Sequence, residues 1–313
     1  MMNIHAPAHA PGGGTDQSAG EPGTWTAQLL RDGYCVIPGL LPALVIGSLD
    51  EALEADFIHT PFCSGGFYGA RTKRFGRLLL RSPLARELVM HPLVLGIAER
   101  ILRPWCDTVQ LNLTQALALH PGAPPQFPHR DQDMWRGPPG EIEYLLNVMW
   151  PFTRYTEENG ATLVWPGSHG PQALSPEPEV EPVAMELEPG SALLFLGSTL
   201  HGAGGNRSAE VRRGAIISYC LGWLKPYENQ WLAYPPEVAR TFDRDLAGLV
   251  GYRQHRPNLG NFEGQCPSIL LDGELPERPG AVDALRPDQE AQLEEYVRSQ
   301  DWPVALPAQP AQP

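Results

Sequence analysis

Cysteine is scarce in this 313-residue chain, and none of it is paired in sequence. Cys35, Cys63, Cys106, Cys220 and Cys266 are scattered, without a C-x-x-C pair. An odd, sparse set fits reduced thiols in the cytoplasm rather than a disulfide framework. Basic residues are also few, 23 Lys and Arg against 36 Asp and Glu, for a net charge of −13. Such a balance argues against nucleic acid as the main partner, because phosphate backbones need a basic surface. No apolar run reaches membrane-spanning length, so membrane insertion is not expected. There is no Gly-rich phosphate loop between a strand and a helix, no internal repeat and no mid-chain linker. Residues 1–23, rich in Ala, Pro, Gly and His, lack a charged start followed by an apolar segment. They read as a flexible tail rather than a signal peptide, and residues 301–313 read as a second flexible tail. Apolar residues at 42% and charged residues at 19% leave enough for one sizeable core over 24–300.

The first hundred residues carry the helical period. Helices are expected over 24–32, with Gly33 as the stop, over 42–56, from Ser82-Pro83, and from Pro92 to about Leu102. A short β-rich run, Tyr34-Cys35-Val36-Ile37, closes on Pro38-Gly39. The basic run Arg71-Thr72-Lys73-Arg74 reads first as a solvated face, with anion contacts at a cavity mouth as the alternative. From Val109 the pattern changes to short strands: 109–119, 144–150, 161–165, 183–187, 192–195 and 214–221. Short strands separated by Gly/Pro turns suggest a sandwich or barrel, not a parallel sheet with crossover helices. Helices return over 235–250 and from Pro287.

The stretch Gln126-Phe127-Pro128-His129-Arg130-Asp131-Gln132-Asp133 contains an H-x-D triplet. On an extended chain residues two apart face the same way, so an imidazole and a carboxylate can reach one metal ion. A third ligand is needed, and His201, ahead of Gly202-Ala203-Gly204-Gly205, is the first candidate. His120 and His169 also follow strand-like segments, and Asp133 shares the parity of Asp131, so both alternatives stay open. Two His and one carboxylate are the set used by non-haem Fe(II) oxygenases. Such an oxygenase consuming 2-oxoglutarate also needs a cation for the far carboxylate, a task suited to the planar fork of arginine. Only one of Arg212 and Arg213 can face inward. Arg212 is preferred because it shares its face with the small Gly214 and Ser218. Trp135, Trp150, Trp165, Phe67 and Tyr68 read first as core and second as cavity lining.

The combined pattern resembles the phytanoyl-CoA dioxygenase family of Fe(II)/2-oxoglutarate oxygenases. The matching pieces are Leu111-Asn112-Leu113-Thr114-Gln115, His129-Arg130-Asp131-Gln132-Asp133-Met134-Trp135, Asn159-Gly160-Ala161-Thr162, Pro166-Gly167-Ser168-His169, and His201-Gly202 with Arg212 eleven residues on. The resemblance implies a mainly β fold with flanking helices, built on a double-stranded β-helix, the jelly-roll or cupin-like core. It implies His129, Asp131 and His201 as iron ligands and Arg212 as partner of 2-oxoglutarate. It also implies Gln126, Gln132 and Thr162 beside the cofactor or substrate. Some members carry a hydroxyl residue two positions after the distal histidine, where this chain has Ala203. Asp131 is intact, which disfavours a halogenase. The implied reaction uses Fe(II), 2-oxoglutarate and O2 to hydroxylate or otherwise tailor a small lipid-like or natural-product molecule, with succinate and CO2 as co-products. The alternative from another class is an idle cupin-like binding protein.

Overall fold

The computed structural model describes residues 20–138, 140–175, 180–273 and 276–300. The two expected tails lie almost entirely outside the described residues, but the first helix, Pro22–Asp32, begins within the stretch expected to be tail. Nine strands are described: β1 (Tyr34–Ile37), β2 (Thr72–Phe75), β3 (Val109–Leu119), β4 (Leu145–Pro151), β5 (Thr162–Val164), β6 (Val183–Ala184), β7 (Ala192–Leu196), β8 (His201–Ala203) and β9 (Arg212–Leu221). They form two sheets, β1-β7-β4-β9-β3-β2 and β6-β5-β8, and every pairing is antiparallel. Helices flank the larger sheet, and no described helix is long and apolar enough to cross a membrane.

Alternation along the strands sorts apolar side chains into two cores. From β9, Ala215, Ile217 and Tyr219 join the helix-side core, where Val94, Ile97 and Ile101 of the helix Pro92–Leu102 pack. Ile216 turns the other way and packs with Leu193, Phe195 and Met149 of the large sheet and Val164 of the small one. The expected alternation of β3 breaks at one residue. A register shift between Leu111 and Leu113 leaves Asn112 as the extra residue of a bulge. As a result Leu111 packs on the helix side and Leu113 between the sheets, although they are two apart.

Several boundaries differ from the sequence reading. The helix expected over 42–56 is two helices, Ala43–Ala52 and Glu54–His59, meeting at Leu53. That expected over 235–250 is Pro236–Ala239 and Arg244–Leu249, because Asp243 caps the second through Asp245 N and Leu246 N. The basic run is not simply a solvated face: Thr72–Phe75 is β2, paired with the end of β3. The H-x-D stretch is not one continuous strand either. His129 makes a single bridge to His201, and Asp131 opens a 3-10 turn, Asp131–Met134. Strand parity therefore does not carry from Asp131 to Asp133, and Asp133 is exposed.

Candidate metal and 2-oxoglutarate site

His129, Asp131 and His201 come together despite the 72 residues of chain between the first and last. His129 N–H donates to His201 C=O at 2.9 Å, and His201 N–H donates back to His129 C=O at 3.0 Å. This reciprocal pair places the two imidazoles side by side, with ring centroids 4.4 Å apart. The turn that follows brings Asp131 between them. Its Oδ1 lies 3.3 Å from His129 Nε2, and its Oδ2 lies 3.6 Å from His201 Nε2. One ligand atom from each residue falls within 4.8 Å of the others.

Both rings are oriented from behind. His129 Nδ1 is 2.8 Å from Phe127 C=O, and His201 Nδ1 is 3.0 Å from Thr199 C=O. A carbonyl only accepts, so Nδ1 carries a proton in each ring and Nε2 is the atom turned toward Asp131. Phe67 packs on the His129 ring and Phe195 on that of His201. Among the described residues no other group of three His, Cys, Asp or Glu offers ligand atoms this close. His120 meets Phe62 edge to face, and His169 Nε2 pairs with Leu30 C=O at 3.0 Å.

Burial alone would push the Asp131 carboxyl up, but the adjacent imidazoles of His201 and His129, helped by Arg74, hold it at about 2. Its contribution to the stability of the metal-free fold is present above its ordinary value of 3.8 and is lost as pH falls toward about 2. For His129 burial favours the neutral ring, yet Asp131 and the Phe127 carbonyl outweigh it and raise the imidazole above 6.5. At His201 burial outweighs the attraction of Asp131, and the imidazole is lowered from its ordinary value. A metal ion held by His129 would have to compete with that raised proton affinity. Apparent metal affinity should thus weaken as pH falls through the imidazole range, approaching ~10-fold per pH unit for one displaced proton, as measured by anaerobic Co(II) titration. A flat profile across the imidazole range would exclude His129 as a ligand.

The cavity at the triad is lined by apolar side chains from the large sheet, Leu113, Leu117, Met149, Phe195 and Ile216, together with Arg212. Arg212 is buried, and its Nε and Nη1 have no hydrogen-bond partner. Its guanidinium lies over the Tyr155 ring, 4.3 Å from the centroid. Gly214 makes this possible, because a Cβ there would come 2.0 Å from the Tyr155 hydroxyl. Arg213 points to the opposite face and pairs with Glu54 and Asp50. The inward choice of Arg212 follows from its parity with Gly214, Ile216 and Ser218.

Gln126 and Thr162 also line the cavity. Gln126 Oε1 accepts from Ala203 N at 3.3 Å, which ties the glutamine to the strand that carries His201. Gln132 is buried but does not line the cavity, since the 3-10 turn carries it away. Of the five aromatic candidates, Phe67 and Tyr68 line it, whereas Trp150 is fully buried in the helix-side core.

Three further residues line the cavity, one of them from the basic run whose alternative reading is a cavity mouth. Arg74, on β2, donates through Nη1 to Gln115 Oε1 at 3.0 Å and leaves its buried Nε unpartnered. Only its place in a basic run hinted at it. Tyr227 reaches the rim and touches the Tyr68 hydroxyl. It is held there by the Asn112 bulge, whose Oδ1 accepts from Tyr227 N at 2.7 Å and whose C=O accepts from Glu228 N at 3.0 Å. Met134, at the end of the 3-10 turn, completes the rim.

The donor set suits the proposed cofactors. Two neutral imidazoles and one carboxylate fit a divalent iron with open positions. An unpaired buried guanidinium costs free energy unless an anion meets it, and the far carboxylate of a keto acid is such an anion.

The sequence profile of the phytanoyl-CoA dioxygenase family matches residues 29–214. A dioxygenase of Aspergillus terreus, trt7, is 32% identical over 238 residues, covering 72% of this chain and 83% of that protein. Among solved structures, the non-haem α-ketoglutarate-dependent epimerase SnoN of nogalamycin biosynthesis shares the fold. The likeness has a TM-score of 0.55 at 23% identity and covers 66% of this chain and 86% of that one. HygX from Streptomyces hygroscopicus, solved with nickel, 2-oxoglutarate and hygromycin B, matches with a TM-score of 0.51 at 14% identity, covering 66% and 89%. This chain belongs to the phytanoyl-CoA dioxygenase family of Fe(II)/2-oxoglutarate-dependent oxygenases.

Proposed function

We propose that this chain is a single oxygenase domain over residues 24–300, with its two sheets as the halves of a double-stranded β-helix, that hydroxylates or otherwise oxidatively tailors a small natural-product molecule. His129, Asp131 and His201 hold Fe(II). Arg212 takes the far carboxylate of 2-oxoglutarate through its planar fork. Arg74 neutralises charge at the metal end, where the second carboxylate of the same dicarboxylate would lie, and Gln126 and Thr162 supply neutral hydrogen bonds beside it. When bound, the iron and the keto acid supply the oxidising chemistry, in which O2 is consumed and 2-oxoglutarate becomes succinate and CO2. The protein binds, orients and keeps out water. Leu113, Leu117, Met149 and Ile216 keep the inner cavity apolar, and Phe67, Tyr68, Met134 and Tyr227 form the rim against which a substrate C–H bond is held.

The observation that carries this reading is the buried, unpartnered Arg212 in the same cavity as a three-residue ligand cluster. A binding-only barrel has no use for both, and no feature of the site favours it. The substrate class follows the natural-product chemistry named for the relatives. Anaerobic addition of Fe(II) and 2-oxoglutarate to the apo protein should give a visible metal-to-ligand charge-transfer band that requires both components. Folded wild-type protein that gives no band with both would remove the proposal.

A further inference from the structure

Asn147 stands in the middle of β4, fully buried, on the strand face that also presents Met149 to the cavity. A central strand between two cores ordinarily carries Val, Ile or Leu there. The amide instead reaches the metal cluster, with Nδ2 donating to Asp131 Oδ2 at 3.0 Å. An ionised carboxylate only accepts, so the hydrogen bond fixes which end of the amide faces it. The other end, Oδ1, is buried without a partner, as are both amide atoms of the neighbouring Gln132. The register partner of Asn147 on β9 is Ser218, whose Oγ accepts from Asn112 Nδ2 at 2.9 Å. A short row of polar groups thus crosses an otherwise apolar sheet face and ends on one oxygen of one ligand.

We propose that Asn147 is a positioning residue for the iron site, holding Asp131 Oδ2 so that the carboxylate offers the metal the single oxygen Oδ1, on the His129 side. This rests on the assignment of His129, Asp131 and His201 as ligands. A carboxylate free to turn can bind a divalent ion with both oxygens, and the second would occupy a position needed by the keto acid or O2. The amide donor keeps the plane of Asp131 fixed and that position open. Groups bonded behind a metal ligand typically contribute about 10–100-fold to metal affinity. The cost of burying the half-satisfied amide is consistent with such a role, since an apolar residue would suit the strand better.

The test is anaerobic Co(II) titration of the apo protein, followed by its visible spectrum, for wild type, His201→Ala, Asn147→Val and Asn147→Leu. Thermal unfolding of each apo protein serves as the folding check. Valine is the smaller, strand-favouring replacement and leucine the larger, so at least one is expected to fold. Wild type should bind one Co(II) and His201→Ala none. The folded Asn147 variant should bind about 10–100-fold more weakly, with a changed Co(II) spectrum. A folded Asn147 variant with wild-type affinity and spectrum would overturn the positioning role and leave the ligand assignment intact. Wild-type protein that binds no Co(II) would instead remove the ligand assignment. If both variants unfold at the working temperature, Asn147 serves the fold rather than the metal, and the proposal fails.

Discussion

A His201→Ala chain is expected to fold, to bind neither Fe(II) nor Co(II), and to make no succinate from 2-oxoglutarate. The backbone pair between His201 and His129 does not need the imidazole, so the β8 bridge survives the substitution. What is lost is the ring that packs on Phe195 and its hydrogen bond to Thr199 C=O. Truncating a buried side chain of this kind costs about 1–3 kcal/mol, a few degrees in the melting temperature. The chemical effect is far larger. Two remaining ligands, His129 and Asp131, lie 3.3 Å apart and would simply pair with each other. The measurement joins apo-protein melting to anaerobic metal titration. A folded His201→Ala protein that retains wild-type metal affinity would place the third ligand elsewhere.

Arg212→Met should separate cofactor binding from metal binding. Methionine keeps much of the length and fills the space over Tyr155, but it cannot meet a carboxylate. Removing one partner of a buried charge pair costs about 2–5 kcal/mol. The Kd for 2-oxoglutarate should therefore rise about 30-fold to several thousandfold, while Co(II) affinity stays near wild type. Arg212→Lys should fall between the two, because an ammonium lacks the fork that binds both oxygens. The apo protein should not suffer: its unpaired buried guanidinium already carries a desolvation penalty, and the loss of the Tyr155 contact, about 1–2 kcal/mol, is offset by its removal. Unchanged 2-oxoglutarate affinity in Arg212→Met would assign the far carboxylate to another cation, with Arg74 of the same cavity the alternative.

The site was legible in the sequence wherever chemistry and periodicity spoke together. H-x-D and a distal histidine form a recognisable donor set, and parity along β9 separates Arg212 from Arg213 without any structure. Periodicity misled where one residue altered the count. The Asn112 bulge sends Leu111 and Leu113 to different cores, and the 3-10 turn at Asp131 removes both Asp133 and Gln132 from the cavity. Arg74 stays undecided between a solvated face and a cavity mouth in the sequence, because a basic tetrapeptide has the same composition in both settings.

The sequence by itself determined the ligand types, the inward arginine, the strand-rich class and the membership of the family, since each rests on residue identity at fixed local spacing. The tertiary structure brings His201, the histidine the family resemblance implies, beside His129 and Asp131, and it alone shows why Gly214 lies opposite Tyr155 and that Asn147 reaches Asp131. Those contacts join residues 16 to 72 positions apart through sheet register, and register is set by both packed cores together rather than by any one segment.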